Sequence, residues 1–235
     1  MLKRCRCFQR ESYVMTGETL SGIYQQLYDA FGPQYWWPGE TSFEIVTGAI
    51  LTQNTNWANV EKAIENLKVT ENLTPDKLHC IDISKLAELI RPAGYYNIKA
   101  KRLKNFVNWL FDNYDGEMSN LELVDTDQLR EELLAIKGIG RETADSILLY
   151  ALSRPVFVVD AYTARITLRH KLIDPGADYE QLRELFESNL SEDIRLFNEY
   201  HALLVRVGKE FCKPKAKCQG CPLEELPHTL DIEYY

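Results

Sequence analysis

Apolar residues recur along most of this chain at spacings of three and four positions, which is the period of an amphipathic α-helix. For example, Val60, Ala63 and Leu67 fall on one face of a single predicted helix. No segment alternates with period two as a strand does, and the one strand-like run, residues 156–159, is too short to matter. The pattern therefore predicts an all-α fold, with about eleven helices joined by short breaks.

Glycine, proline and capping residues divide the periodic stretches into separate elements. Gly32-Pro33 ends the first helix, and Thr74-Pro75 is a typical helix start. Thr126 is the expected N-cap of a later helix. The helices are expected over residues 19–31, 42–51, 57–67, 72–78, 83–90, 97–114 and 126–136, then in a segment that ends at 151, and over 162–171, 178–189 and 194–208.

Composition limits the kinds of protein that this chain can be. It has 235 residues, 45% of them hydrophobic, and a formal net charge of −8. A core of useful size is therefore possible, and a basic DNA-coating protein is excluded, so contact with nucleic acid must be local. Candidate basic patches, each of which can also be an ordinary solvated helix face, are Lys99, Lys101, Arg102 and Lys104; Lys137 with Arg141; and Lys209, Lys213, Lys215 and Lys217.

The ends of the chain carry few signals of targeting. No apolar run is long enough to cross a membrane, and residues 1–15 lack the apolar centre of a signal peptide. We interpret residues 1–15 as a disordered leader, with Met1 or Met15 as the start, and expect a cytoplasmic, nucleoid-associated protein. In such a protein, the cluster of Cys212, Cys218 and Cys221 indicates a metal more often than a disulfide.

The most informative stretch joins two helical patterns through Gly138-Ile139-Gly140. Two glycines around one apolar residue allow a tight turn with exposed N–H groups, and the next helix adds its positive end. Such a turn can bind a phosphate, although it can also be an ordinary connection between helices. About twenty residues later, Asp160 ends an apolar run. A phosphate-binding turn and a half-buried acid indicate chemistry on a nucleic acid.

These features together resemble the helix-hairpin-helix DNA glycosylases of the endonuclease III superfamily. The resemblance rests on Gly138-Ile139-Gly140, Thr143-Ala144-Asp145, Val158-Val159-Asp160 and the C-terminal cysteines, and it extends over nearly the whole chain from about Thr19. Three stretches outside the hairpin resemble the 3-methyladenine DNA glycosylase III type, which removes alkylated purines. They are the sequences YWWP at 35–38, GAILTQNTNW at 48–57 and RPAGYYNIKAKRL at 91–103.

The resemblance implies two helical subdomains with a DNA-binding cleft between them. The central six-helix domain, with the hairpin, would span residues 35–154. The second would combine residues 16–34 with 155–235, and would carry Asp160 and the cysteine loop.

The resemblance assigns the chemistry to Asp160, which would stabilise an oxocarbenium-like sugar and activate a water. Asp160 is also a good N-cap for the helix that follows, and both roles are compatible. Bifunctional members carry a nucleophilic lysine in the first turn after the hairpin. Glu142 occupies that position here and cannot form a Schiff base, so a monofunctional enzyme is expected.

A base inside a duplex must be flipped out before its glycosidic bond can be reached. Gln53 matches the family position that fills the resulting gap, although a polar residue at a helix end needs no such role. Trp36, Trp37 and Trp57 are candidate walls for the flipped base, and their alternative role is in the core. The expected phosphate contacts are the backbone N–H groups of Gly138, Ile139 and Gly140 and the Thr143 hydroxyl.

The spacing Cys212-x5-Cys218-x2-Cys221 resembles the four-cysteine [4Fe-4S] loop of the family, but the fourth cysteine is missing. His228, Cys5, Cys7 and Cys80 are candidates for the fourth ligand. A structural [4Fe-4S] cluster, a zinc ion and a loop without metal all remain open.

The sequence therefore predicts a monofunctional base-excision-repair DNA glycosylase that acts on damaged, alkylated purines. Its partner would be double-stranded DNA with a damaged base, and it would act as a monomer away from membranes. Two alternatives stay open: an endonuclease III-like glycosylase and lyase for oxidised pyrimidines, and a DNA-binding module without catalysis.

Overall fold

The computed structural model describes residues 6–230, and it describes side chains from residue 16 onward. Within that range the chain has eleven α-helices and no strand, which confirms the predicted all-α class. Of the predicted leader, residues 1–5 lie outside the described part of the chain, and residues 6–15 are described as backbone only, as the first part of the first helix. The helices are α1 (Arg6–Phe31), α2 (Ser42–Thr52), α3 (Trp57–Val69), α4 (Pro75–Cys80), α5 (Ile83–Leu89), α6 (Tyr96–Tyr114), α7 (Thr126–Ala135), α8 (Arg141–Ser146), α9 (Ala161–Arg169), α10 (Tyr179–Glu187) and α11 (Ile194–Glu210).

The chain forms two compact units. One, the central unit, is Trp37–Arg154 and contains α2 to α8. The other, the terminal unit, combines the N-terminal segment up to Trp36 with the chain from Pro155 onward, and contains α1 and α9 to α11. Shorter helical pieces of the central unit are 3-10 turns at Arg91–Ala93 and Met118–Leu123, and a π-helical stretch at Ile147–Ala151 that continues α8.

The central unit is built around α2, which is apolar on almost every side. Eight of its eleven residues are buried, and it packs against α3, α6, α8 and the π-helical stretch. A helix of this composition is stable only inside a core. Its start is set by Thr41, whose side chain accepts a hydrogen bond from the Glu44 N–H at 3.1 Å.

The terminal unit has an aromatic core between α1, α10 and α11. The rings of Phe157 and Phe186 stack with centroids 3.9 Å apart, and Phe197 and Tyr200 meet Phe157 edge to face. The buried Tyr200 hydroxyl donates to the Leu20 carbonyl of α1 at 2.9 Å. These contacts join helices that are far apart in sequence.

In the described part of the chain, no helix is both long and apolar enough to span a membrane.

Candidate active site and DNA interface

The predicted hairpin forms between α7 and α8, and the two glycines have different tasks. Gly138 adopts φ +102°, which side chains rarely allow, and a Cβ there would overlap the Arg102 side chain. Gly140 is the N-cap of α8 without a side-chain cap, and open space lies where its Cβ would be. The helix start beyond Gly140 is therefore open to an anion.

Two of the predicted phosphate contacts are already engaged inside the protein. The Ile139 N–H donates to the Ile136 carbonyl at 3.0 Å, because this bond closes the turn. The Thr143 side chain is buried, and its hydroxyl accepts from Gln53 Nε2 at 2.9 Å. In this conformation the Ile139 N–H is occupied within the turn, whereas the Thr143 hydroxyl accepts one bond and keeps its own hydrogen to donate. The predicted phosphate contacts therefore stay predictions.

Gln53 ties the end of α2 to the hairpin. Its Nε2 also donates to the Gly138 carbonyl at 3.1 Å, and its Oε1 accepts from Arg102 Nη1. The amide side chain is thus bonded at both ends. Asn105 adds a parallel contact, since its Nδ2 donates to the Lys137 carbonyl at 2.8 Å. Two residues of α6 therefore help to hold the hairpin, and their bonds could not be inferred from local sequence.

One member of the first candidate basic patch, Lys99, does not lie on the surface. Lys99 is 1% exposed, and its Nζ donates to the carbonyls of Leu51 at 2.8 Å and Ala93 at 2.7 Å. Burial lowers the pKa of Lys99 to about 8. The residue links the end of α2 to the 3-10 turn, so the expectation that it lies on a basic surface was wrong.

Two of the three predicted pocket tryptophans meet in the central unit. Trp37 stacks on Tyr150 with centroids 5.1 Å apart, and meets Trp57 edge to face at 5.1 Å. Gly48 permits this approach, because a Cβ there would lie 3.2 Å from Trp37 Nε1. Trp36 belongs to the terminal unit. The sequence interpretation missed Tyr150, whose apolar surroundings at the end of a helix suggested only a core residue.

Trp36 has a cationic neighbour in the terminal unit. The Lys209 Nζ lies 6.0 Å from the centroid of the Trp36 ring, within the range of a cation–π contact. Lys209 was predicted to contact the DNA backbone, and that role stays a prediction.

Glu142 lies in the first turn of α8 and is exposed. An acid suits this end of a helix because the helix dipole is positive there. No amine stands at this position, which is where the resemblance would require the lyase lysine.

Asp160 is the N-cap of α9 and is half-buried. Its Oδ1 accepts from the Thr163 N–H at 2.8 Å and from the Thr163 hydroxyl at 3.0 Å. No hydrogen bond to Oδ2 occurs among the described residues. The capping role foreseen for Asp160 is confirmed, and it holds the carboxylate in one orientation.

The opposite end of α9 holds the cysteine loop. The Arg165 Nε donates to the Cys212 carbonyl at 2.6 Å, and the Arg169 Nη1 approaches the Cys212 Sγ at 3.1 Å. Arg169 also donates to the carbonyls of Lys213 and Pro214, both at 2.7 Å. Both arginines are buried, so one short helix connects the Asp160 carboxylate with the loop.

Cys212, Cys218 and Cys221 line one pocket, together with His170 and His228. Burial raises the pKa of the Cys221 thiol, and the other two cysteines add to this effect. Among residues with described side chains, no group of three His, Cys, Asp or Glu converges on a single ion. The three cysteines share this pocket, and no fourth cysteine lines it.

The two histidines of this pocket are close to each other. Their ring centroids are 5.5 Å apart. His228 Nδ1 lies 2.8 Å from the Leu226 carbonyl, and His170 Nδ1 lies 3.2 Å from the Pro227 carbonyl. With hydrogen on Nδ1, either ring presents the Nε2 lone pair to a ligand site. His228 was a predicted candidate for the fourth ligand, and His170 was not foreseen.

These features define a class of protein. An all-helical chain with an uncapped glycine hairpin and a carboxylate held at a helix start has the fold and groups of a helix-hairpin-helix DNA glycosylase. The family described as HhH-GPD superfamily base excision DNA repair protein matches residues 47–192, and the chain belongs to that superfamily. It is a DNA N-glycosylase of base excision repair.

Three comparisons show how near its relatives are. The candidate DNA repair glycosylase MJ1434 of Methanocaldococcus jannaschii is 52% identical over 211 residues, which cover 89% of this chain and 96% of that protein. The endonuclease III of Sulfolobus acidocaldarius is 31% identical, over 78% of this chain and 80% of its own. The crystal structure of the Helicobacter pylori 3-methyladenine DNA glycosylase MagIII, bound to 1,N6-ethenoadenine, is 33% identical with a TM-score of 0.69, over 83% of this chain and 97% of that one.

Proposed function

We propose that this glycosylase removes alkylated purines from double-stranded DNA. The observation that carries the proposal is the cluster of Trp37, Trp57 and Tyr150. Purines alkylated at N3 or N7 carry positive charge, and electron-rich aromatic faces attract such a ring. The 33% identity to MagIII supports the same substrate class. Trp36 remains our second candidate wall, next to Lys209.

Asp160 would act on the sugar in this reaction. Bond cleavage develops positive charge on the sugar, and the carboxylate stabilises that charge and activates a water. Oδ1 is anchored by Thr163, which leaves Oδ2 for the reacting centre. A cationic base already leaves readily, so weak acid catalysis is sufficient.

We propose that the enzyme is monofunctional. Glu142 cannot attack the sugar as an amine does, so no Schiff base forms and an abasic site is left. The second candidate function is an endonuclease III-like glycosylase and lyase for oxidised pyrimidines. The 31% identity to the Sulfolobus endonuclease III favours that alternative.

Duplexes that each carry one defined lesion separate these two functions. The protein should release 3-methyladenine, and the strand should break only after alkali. Nicking without alkali, with a borohydride-trapped covalent complex, would contradict the monofunctional proposal. Glu142→Gln is the matched control, because it removes the charge and adds no amine. Asp160→Asn should lose base release and keep DNA binding, since the cap bonds need only an oxygen.

The hairpin would bind a phosphate through the Gly138 and Gly140 amides and the start of α8. Gln53 would fill the gap left by the flipped base. To do so it must give up bonds to the Gly138 carbonyl, Thr143 and Arg102, which are worth about 0.5 to 1.5 kcal/mol each and more for the charged partner. Gln53→Ala should slow base release from a paired lesion more than from an unpaired one.

A [4Fe-4S] cluster on Cys212, Cys218 and Cys221 would organise the cysteine loop, and His228 is our candidate for its fourth ligand. Such a cluster would supply structural stability and no step of the reaction. Absorbance near ~400 nm and about four irons per chain would support the cluster, and a colourless, iron-free protein made under anaerobic conditions would contradict it.

We further propose that one copy of the chain acts on one duplex, near the chromosome in the cytoplasm. Sedimentation of the free protein and of its complex with a lesion-containing duplex tests the stoichiometry.

A further inference from the structure

The chain reaches Asp160 through a buried segment outside any helix, residues 156–159. Its four side chains are at most 4% exposed. Buried backbone outside a helix has N–H and C=O groups that need partners, and the described part of the chain contains no strand that could supply them. Side chains of the terminal unit take that role.

One peptide group of this segment is held at both edges. The Val158 carbonyl lies 2.9 Å from His201 Nδ1, which must donate to it, and His201 is 4% exposed. The N–H of the same peptide, that of Val159, donates to the Tyr179 hydroxyl at 3.4 Å. Because a peptide group is planar, two such bonds set the orientation of the whole plane. Asp160 follows after one further peptide group, Val159–Asp160.

A third bond holds the segment one residue earlier. The Phe157 N–H donates to Glu187 Oε1 at 2.8 Å. Glu187 ends α10 and Tyr179 begins it, while His201 lies on α11. The segment before Asp160 is therefore held by two helices through side chains, and His201 makes the shorter of the two bonds to the Val158–Val159 peptide group.

We propose that His201 is a positioning residue for the Asp160 carboxylate. Its bond to Val158 sets the plane of the Val158–Val159 peptide group, one peptide group before Asp160, and the Thr163 bonds then set the carboxylate itself. A misplacement of about 1 Å at a reacting group can cost about 10²-fold in rate. This inference rests on the proposed role of Asp160, and it does not depend on which damaged base is the substrate.

The test compares His201→Leu with His201→Asn, whose amide can replace Nδ1 as a donor. The matched control is Tyr200→Phe, which removes a buried hydrogen bond from the neighbouring position of α11 and keeps the ring. Single-turnover base release is measured on the duplex that the wild-type protein processes best. Affinity is measured on a duplex with a stable abasic analogue.

His201→Leu should slow base release about tenfold or more, while affinity for the abasic duplex changes less than about twofold. His201→Asn should recover part of the rate, and Tyr200→Phe should keep the full rate at a lower melting temperature. If His201→Leu does not fold, Tyr179→Phe removes the other bond to the same peptide and should slow base release in the same way. An unchanged rate in either variant would overturn the proposal, as would equal slowing in Tyr200→Phe.

A double-mutant cycle distinguishes positioning from a general structural effect. In an Asp160→Asn background, His201→Leu should cause no further loss of base release, because it acts through the carboxylate. A further loss of the same size would show that His201 acts elsewhere. Full activity in Asp160→Asn alone would remove both the proposed catalytic role and this inference, whereas a change of substrate class leaves the inference intact.

Discussion

Alanine substitutions at the two hairpin glycines are expected to affect different properties, stability at Gly138 and DNA binding at Gly140, although the positions are only two residues apart. At Gly138, φ is +102°, and a Cβ would overlap Arg102 Cγ and lie 3.0 Å from its Cδ. At Gly140, φ is −99° and nothing lies within 4 Å of the Cβ position. Gly138→Ala should damage the fold, and Gly140→Ala should damage only DNA binding.

The magnitude for Gly138→Ala follows from two local costs. A side chain at this φ is strained by about 1 to 3 kcal/mol. The arginine must also move, and Arg102 then loses its bond to Gln53, which is worth about 1.5 to 3 kcal/mol because one partner is charged. Together these costs amount to roughly 2.5 to 6 kcal/mol, which corresponds to a melting temperature lower by roughly 5 to 24 °C for a chain of this size. Gly140→Ala should stay within about 1 kcal/mol of the wild type.

Thermal melting and fluorescence anisotropy with a short duplex measure the two effects separately. Gly140→Ala should bind DNA more weakly at unchanged stability, because its methyl group stands in the open space before α8. If Gly140→Ala destabilises the protein as much as Gly138→Ala, the conformational reasoning is refuted. If Gly140→Ala binds DNA as the wild type does, the hairpin is not the phosphate site.

Two further predictions concern buried charges of the central unit. Asp145 is fully buried, and its two carboxylate oxygens accept hydrogen bonds from Arg130 at 2.6 and 3.1 Å. Asp145→Ala should therefore lower the free energy of unfolding, measured by urea denaturation, by about 3 to 5 kcal/mol. The control Glu88→Ala, which breaks an exposed pair with Lys85, should lower it by less than about 1 kcal/mol. The pKa of Lys99 is lowered to about 8 from 10.5, so between these pH values the unfolded chain binds more protons than the folded one. The free energy of unfolding of the wild type, compared with that of Lys99→Met, should therefore rise with pH across this window. A stability difference that stays constant across this window would contradict the assignment of a buried, titrating lysine.

Several elements could be predicted from sequence because their causes are local. Helical periodicity and caps such as Thr74 depend on residues within one or two turns of each other. The expected cap Thr126 was wrong by one residue, because the Asp125 side chain caps α7 instead. The glycine hairpin and the first-turn position of Glu142 follow from the same short-range rules. The cap made by Asp160 is equally local, since its partner Thr163 is three residues away.

The candidate site was only partly predictable, because its contacts cross long stretches of chain. Gln53 bonds to residues 85 and 90 positions later, and His201 bonds to a carbonyl 43 positions earlier. Lys99 looked like a member of a basic surface, yet it is buried against two carbonyls. Such pairings depend on which helix faces meet, and spacing along a chain does not determine that.

By itself, therefore, the sequence determined the helical class, the hairpin, the acid at the start of α9 and the glutamate in the first turn of α8. These depend on local backbone preferences and on the kind of functional group at each position. Only the tertiary structure decided that the neighbours Trp36 and Trp37 belong to different units, and that Tyr150 completes the aromatic cluster. The reason is that packing brings together side chains whose separation in sequence carries no signal of their contact.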